Sequence, residues 1–158
     1  MSQTEQIEGV HRRSFLIAGV GGAAFATVQL TPGVALADKA AVAAAMKKAI
    51  GDKKPVAGKV SIDAPEIAEN GNTVPIGIEV ESKMAGGDAV KAVHVYAEGN
   101  PNPEVASFWF TPGSGAAKAS FRMRMAKTQN IIVLAEMADG KVYMGKRLVK
   151  VTIGGCGG

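Results

Sequence analysis

The residue with the most distinctive chemistry in this chain is its single cysteine, Cys156, which stands in the closing sequence Gly154-Gly155-Cys156-Gly157-Gly158. Glycine has no Cβ, adopts both signs of φ and offers no apolar surface for packing. We therefore expect this five-residue segment to be a flexible carrier arm that presents the thiol to solvent and to other proteins. An extended chain covers about 3.3–3.6 Å per residue. A thiol on such an arm could enter a narrow active site of a partner.

The chemistry that Cys156 supports is covalent attachment. The thiolate is the reactive form of cysteine, and no activating base stands near it in the sequence. The sequence thus predicts no catalytic residue and no cofactor, only a group carried on the sulfur and acted on by enzymes supplied by other proteins. A persulfide or an S-thiosulfonate would be held through a disulfide-like S–S bond that can be passed along, oxidised or hydrolysed.

Other candidate sites are weaker. His94 is the only histidine after residue 37, so the usual His/Cys metal sites are excluded, and no metal is expected. Because His94 lies between two valines in a predicted strand, we interpret it as structural. Several methionines on predicted strands are interpreted as packing residues rather than copper ligands; these are Met123, Met125, Met137 and Met144.

The first 37 residues have the pattern of an export signal. Arg12 and Arg13 precede a glycine- and alanine-rich apolar stretch, and Ala35-Leu36-Ala37 has the small-x-small pattern of a cleavage site. Paired arginines are typical of the twin-arginine route. The stretch is shorter than the roughly 20 apolar residues that span a bilayer, which argues against a membrane anchor. We predict cleavage after Ala37 and export of the remaining chain.

The remaining chain suits one domain, predicted as residues 38–153, followed by the carrier arm at 154–158. Loss of residues 1–37 removes two arginines and two glutamates, so the net charge stays at +4. Without a long Lys/Arg cluster, this charge gives no reason to expect nucleic acid binding. Lys146, Lys150 and Thr152 share one side of the last predicted strand with Leu148, which gives either a basic face that leads to the arm or a face that is simply solvated.

The periodicity of the chain predicts one helix followed by strands. Asp38 is a suitable N-cap and Gly51 a terminating glycine, and the apolar stripe comprises Val42, Met46, Ala49 and Ile50. From residue 59 the apolar period becomes two, with Asp139-Gly140 as a hairpin turn. We expect a mainly β, seven-stranded antiparallel immunoglobulin-like sandwich. The predicted strands are Val60–Asp63, Thr73–Glu81, Val90–Glu98, Val105–Phe110, Ala117–Ala126, Asn130–Met137 and Lys141–Thr152.

Three features of the sequence occur together: the pair Arg12-Arg13, the segment Ala64-Pro65-Glu66-Ile67-Ala68-Glu69-Asn70-Gly71 leading into Val74-Pro75, and the glycine-flanked terminal cysteine. In these features the sequence resembles the Y subunits (SoxY) of the Sox sulfur-oxidation system. The resemblance implies a periplasmic carrier that holds thiosulfate-derived intermediates on Cys156 and pairs with a SoxZ-like subunit. It further implies three enzymatic partners: a haem cytochrome, a manganese hydrolase that releases sulfate, and in some systems a sulfur dehydrogenase.

Two alternatives belong to other classes. The Gly157-Gly158 end is also similar to ubiquitin-like sulfur carriers, which need ATP-dependent activation and have a β-grasp fold; export and the number of predicted strands argue against them. A structural adaptor tethered through an intermolecular disulfide at Cys156 is the other alternative. A reducing and a non-reducing gel would distinguish the adaptor from a carrier.

Overall fold

The computed structural model describes residues 39–155, which form one helix and nine strands. Helix α1 covers Lys39–Ile50. The strands are β1 (Val56–Ala57), β2 (Val60–Asp63), β3 (Ile67–Asn70), β4 (Val74–Val80), β5 (Val90–Ala97), β6 (Glu104–Trp109), β7 (Ala117–Met123), β8 (Gln129–Met137) and β9 (Val142–Ile153).

Helix α1 ends at Gly51, as its sequence predicts. Gly51 has a φ of +66°, and its N–H donates a hydrogen bond of 2.8 Å to the carbonyl oxygen of Lys47. Glycine adopts this left-handed terminating conformation without a Cβ penalty. The predicted N-cap, Asp38, lies outside the described residues.

One face of α1 covers the outer face of the larger sheet. Val42 and Ile50 are buried and Met46 is partly buried against Tyr96, Ile132, Leu134 and Val142, which confirms the stripe at three positions. Ala49, predicted to share that stripe, is exposed. It stands about 100° from Ile50 around the helix axis, which turns it away from the sheet.

The strands form two sheets. The larger has the order β1-β9-β8-β5-β6, with β3 pairing to β9 as well, and the smaller has the order β2-β4-β7. The predicted turn at Asp139-Gly140 joins β8 to β9, and Gly140 has a φ of +85°. Pro75 pairs with β7, while β2 pairs with β4 only from Gly77 onward. Pro75 therefore lies at an open side of β4, where its missing N–H costs no ladder bond.

The main core lies between the two sheets. Ile76 and Ile78 of the smaller sheet pack in one buried cluster with Val93, Ile131 and Val133 of the larger sheet. The predicted alternation in and after β7 is confirmed, since its inward set is buried or partly buried (Ala119, Phe121, Met123 and Met125) and its outward set is exposed (Ser120, Arg122 and Arg124).

The mainly β fold with an N-terminal helix is confirmed, but the strand count of seven was wrong. The two added strands, β1 and β3, contain two and four residues and pair in parallel with β9, so the sandwich is not wholly antiparallel. Both are too short and too exposed for an alternating pattern to reveal them. The immunoglobulin-like architecture of the sandwich stays a prediction.

The predicted strand Ala117–Ala126 ends at Met123 in the structure. Residues 124–126 turn away from β4 because their backbone groups bond to Asn100 and Gly71 instead. This departure from the sheet positions the candidate site.

Candidate functional site

Strand β9 leads directly into the carrier arm. Its last residues are held on one side by β3, with Ala68 opposite Val151 and Asn70 opposite Ile153 in a parallel register. On the other side, Thr128 continues the edge of β8, since the N–H of Val151 donates a 2.9 Å hydrogen bond to its Oγ1. The chain thus reaches residue 153 with neighbours on both sides.

Beyond β9 the chain remains bound to the body through backbone hydrogen bonds. The N–H of Gly71 donates to the oxygen of Ile153 (2.8 Å), and the carbonyl oxygen of Gly71 accepts from the N–H of Met125 (2.7 Å). The N–H of Gly155 in turn donates to the oxygen of Met125 (2.9 Å). We call the junction of Gly71, Met125, Ala126, Gly154 and Gly155 the glycine latch.

The three glycines of the latch allow backbones to meet more closely than any other residue would permit. A Cβ on Gly71 would stand 2.3 Å from the oxygen of Met125, and a Cβ on Gly154 would stand 2.2 Å from the oxygen of Ala126. A Cβ on Gly155 would stand 2.6 Å from the oxygen of Gly71. Because each obstacle is a backbone atom, no side-chain rotation can relieve the overlap.

The structure describes only the first two residues of the predicted arm 154–158. Gly154 is exposed, as expected, although its backbone abuts Ala126, whereas Gly155 is buried, so the expectation of solvent exposure fails at Gly155. Glycine's lack of a Cβ, which suggested freedom, serves here for close packing. Cys156, Gly157 and Gly158 lie outside the described residues, so the attachment site itself stays a prediction.

The side chain of Asn100 holds the backbone on both sides of Met125 through hydrogen bonds. Its side chain is buried, with Nδ2 donating to the oxygen of Arg124 (2.8 Å) and Oδ1 accepting from the N–H of Ala126 (3.0 Å). Gln129, also buried, donates from Nε2 to Asn100 Oδ1 (2.7 Å) and accepts from the N–H of Gly99 (2.6 Å). Sequence analysis missed this role, although the glycine, asparagine and proline cluster at 99–103 is a turn signal.

The predicted basic face along β9 is largely neutralised by carboxylates. Lys146 pairs with Glu98 at 2.8 Å, and Lys150 lies 3.6 Å from Glu66. Burial by itself would raise the pKa of Glu98, but hydrogen bonds from Lys146 and Asn130 outweigh it and hold that pKa below its usual range. Leu148, on the same side, is half exposed. This face therefore does not supply free positive charge to the arm.

His94 has the structural surroundings expected from the sequence. Its Nδ1 lies 2.8 Å from Ser107 Oγ and its Nε2 lies 3.1 Å from Glu136 Oε1, so it links β5 to both neighbouring strands. Lys53 bonds to the other carboxylate oxygen of Glu136 at 3.1 Å. Burial alone would raise the pKa of Glu136, but the bonds from Lys53 and His94 lower it overall. Within residues 39–155, no cluster of three or more His, Cys, Asp or Glu could hold a metal ion.

The methionines that were predicted to be packing residues do pack against apolar side chains. Met123, Met125 and Met137 belong to the core between the sheets, whereas Met144 packs in the separate cluster under α1.

Among the described helices, none is long and apolar enough to cross a membrane.

Comparison with known proteins identifies the family. The family model described as sulfur oxidation protein SoxY matches residues 46–156. The chain belongs to the SoxY family. Its structure is similar to that of the sulfur carrier protein SoxY from Chlorobium limicola f thiosulfatophilum, with 35% identity, 71% of this chain and 96% of that chain covered, and a TM-score of 0.61. The function class is accordingly that of a sulfur carrier in sulfur oxidation.

More distant similarities concern the fold alone. Two structures of variant forms of a superoxide reductase (neelaredoxin) from Ignicoccus hospitalis each match with 19% identity and a TM-score of 0.51. The first match covers 59% of this chain and 79% of the reductase, and the second covers 68% and 86%. No curated protein sequence matched this chain. The ubiquitin-like alternative does not fit a two-sheet sandwich of the SoxY family.

Proposed function

We propose that this SoxY-family protein is a periplasmic carrier that holds thiosulfate-derived sulfur covalently on Cys156 and presents it to the other Sox proteins. The observation that carries the proposal is the family match, which extends through Cys156 itself. The geometry supports it, because β9 and the glycine latch lead the chain to the residue immediately before this cysteine. The chain contains no second thiol that could compete for the sulfur.

The proposed loading step is an oxidation. The Cys156 thiol and the outer sulfur of thiosulfate form one S–S bond, giving a cysteine S-thiosulfonate, one proton and two electrons. The carrier holds no electron acceptor of its own in this scheme, so the electrons pass to the partner haem cytochrome. This requirement supports a carrier that is acted on by enzymes.

The proposed release step is a hydrolysis. Water adds to the terminal sulfonate, the bond between the two outer sulfur atoms breaks, and sulfate, one proton and a cysteine persulfide result. The manganese hydrolase would supply this reaction. The persulfide stays on Cys156, where a sulfur dehydrogenase or another loading cycle can use it.

We further propose that a SoxZ-like subunit covers the β1/β3/β9 edge of the larger sheet. Large apolar side chains stand exposed there, at Val56, Ile67, Leu148 and Ile153, with exposed fractions of 50% to 69%. Exposed apolar groups concentrated on one edge are typical of interaction surfaces. Because β3 pairs with the end of β9, a partner on this edge would lie close to the root of the arm.

The test of the proposed function is the intact mass of protein purified from its native compartment during growth on thiosulfate. We expect a species heavier by bound sulfur or a thiosulfonate group that reductant removes, and we expect Cys156→Ser to lack it while retaining the same circular dichroism spectrum. Wild-type protein without any such adduct, or an adduct that persists in Cys156→Ser, would contradict the proposal. A disulfide-linked partner on a non-reducing gel would favour the adaptor alternative.

A further inference from the structure

We propose that Gly71 is a positioning residue for the carrier thiol, acting through the glycine latch, and that the latch must open for the thiol to reach deep into a partner. This inference rests on the proposed function of Cys156. Gly71 touches the arm from a distant part of the chain, donating to Ile153 and lying against the backbone of Gly155. It therefore controls where the arm leaves the body.

The glycines of the latch are needed for close contact between backbones rather than for flexibility of the chain. Gly71, Gly154 and Gly155 do not have positive φ values, so the backbone conformation at these positions is open to other residues. Lack of space is what excludes the other residue types, since an added Cβ would meet backbone atoms at 2.2–2.6 Å. A glycine needed only for mobility would not lie in such contacts.

The latch sets the reach of the thiol through covalent geometry. Successive Cα atoms are 3.8 Å apart across a trans peptide bond, so a fixed Gly155 limits the reach of the chain beyond it to the residues that follow. Release of Gly154 and Gly155 moves the fixed point back to Ile153. The free arm before the cysteine then lengthens by about 7 Å of extended chain, which lets the thiol enter a recess rather than meet only a flat surface.

Opening the latch requires few bonds to break. Gly155 is attached by the bond from its N–H to the oxygen of Met125, and the bond from Gly71 to Ile153 lies just behind it. The donors and acceptors released are backbone groups that water can satisfy once the arm leaves. Met125 remains in the core in either state, because its side chain is fully buried.

The decisive variant is Gly71→Ala, and Gly113→Ala is its matched control. A Cβ on Gly113 would meet only Thr111 Oγ1, at an ordinary 3.6 Å. In the full-length protein, we expect hydrogen exchange at the Gly155 amide to become about tenfold faster in Gly71→Ala, as for loss of one hydrogen bond. We expect severalfold faster alkylation of Cys156 by iodoacetamide and faster disulfide-linked dimer formation. Gly113→Ala should leave all three rates unchanged.

A second variant is needed in case Gly71→Ala also disturbs the folded domain. Gly155→Ala places a Cβ against the same contact from the arm side, beyond the last strand, and should reproduce the faster alkylation. In the double variant the alkylation rate should equal that of either single variant, because one latch is opened only once. The inference would be overturned if the Gly155 amide of the wild type exchanged as fast as an unprotected amide. It would also be overturned if the alkylation rates of both single variants equalled that of the wild type. The hydrogen-exchange measurement needs no sulfur adduct on Cys156. It can therefore confirm or contradict the latch even if the proposed carrier function is wrong.

Discussion

The N–H of Gly155 donates a 2.9 Å hydrogen bond to the carbonyl oxygen of Met125, a residue whose side chain is fully buried between the sheets. The carrier arm is thereby joined at its root to the hydrophobic core. Changes in the loop that contains Met125 should consequently alter the position of the arm as well as the stability of the fold.

Asn100→Ala tests that connection. Removal of this side chain leaves the N–H of Ala126, the oxygen of Arg124 and the amide of Gln129 without their partner. We expect a loss of about 2–4 kcal/mol in the free energy of unfolding. Denaturant titration of this variant beside Asn102→Ala measures it, because Asn102 is exposed and its side chain accepts one bond, from the N–H of Glu104. Equal losses in the two variants would contradict the role assigned to Asn100.

The proposed partner edge predicts a difference between two exposed apolar positions. Ile153→Asp, on β9, should weaken binding of a SoxZ-like subunit at least about tenfold, since a buried unpaired charge would face the partner. Trp109→Asp is the control, because Trp109 is 76% exposed on β6, the strand at the opposite edge of that sheet. Affinities from calorimetry of each variant decide the matter. Loss of binding through Trp109 alone would mean that the partner uses the other edge.

The lowered pKa of Glu136 predicts loss of stability in acid. Its ionised form is favoured in the folded state, so its contribution is present above the unfolded pKa of about 4.3. That contribution is lost as the pH falls through the lower pKa of the folded protein. We expect Glu136→Gln to flatten the decline of the free energy of unfolding below about pH 4.5.

Denaturant midpoints over a pH series would measure this effect. Glu104→Gln is a suitable control, since the structure assigns its carboxylate no ion pair within residues 39–155. A decline as steep in Glu136→Gln as in the wild type would show that other carboxylates carry the acid sensitivity.

Export provides a prediction that is independent of the fold. Arg12→Lys combined with Arg13→Lys should leave uncleaved precursor in the cytoplasm, because the twin-arginine route reads the arginine pair rather than its charge alone. Cell fractionation and immunoblotting would detect the precursor. Arg122→Lys, at an exposed position of the folded domain, is the matched control and should be exported normally. Normal periplasmic levels of the double variant would indicate another route.

Local rules determined much of this structure from the sequence alone. The alternation from Ala119 to Met125, the terminating glycine at 51 and the turn at Asp139-Gly140 each follow from preferences of neighbouring residues, and all three are observed. The glycine-flanked cysteine likewise predicted the carrier class, since its chemistry depends on the thiol and the family motif rather than on packing.

Tertiary structure decided what the glycines of the arm do. Glycine permits both freedom and close approach, and only the presence of Gly71 and Met125, brought from distant parts of the chain, makes close approach the outcome at Gly155. The same reason explains why Lys146 does not form a free basic face, because its partner Glu98 lies 48 positions earlier. The sequence did not predict strands β1 and β3 for the same reason. Each is a strand because it pairs with β9, and a segment of two or four residues is too short for its own sequence pattern to indicate that distant partner.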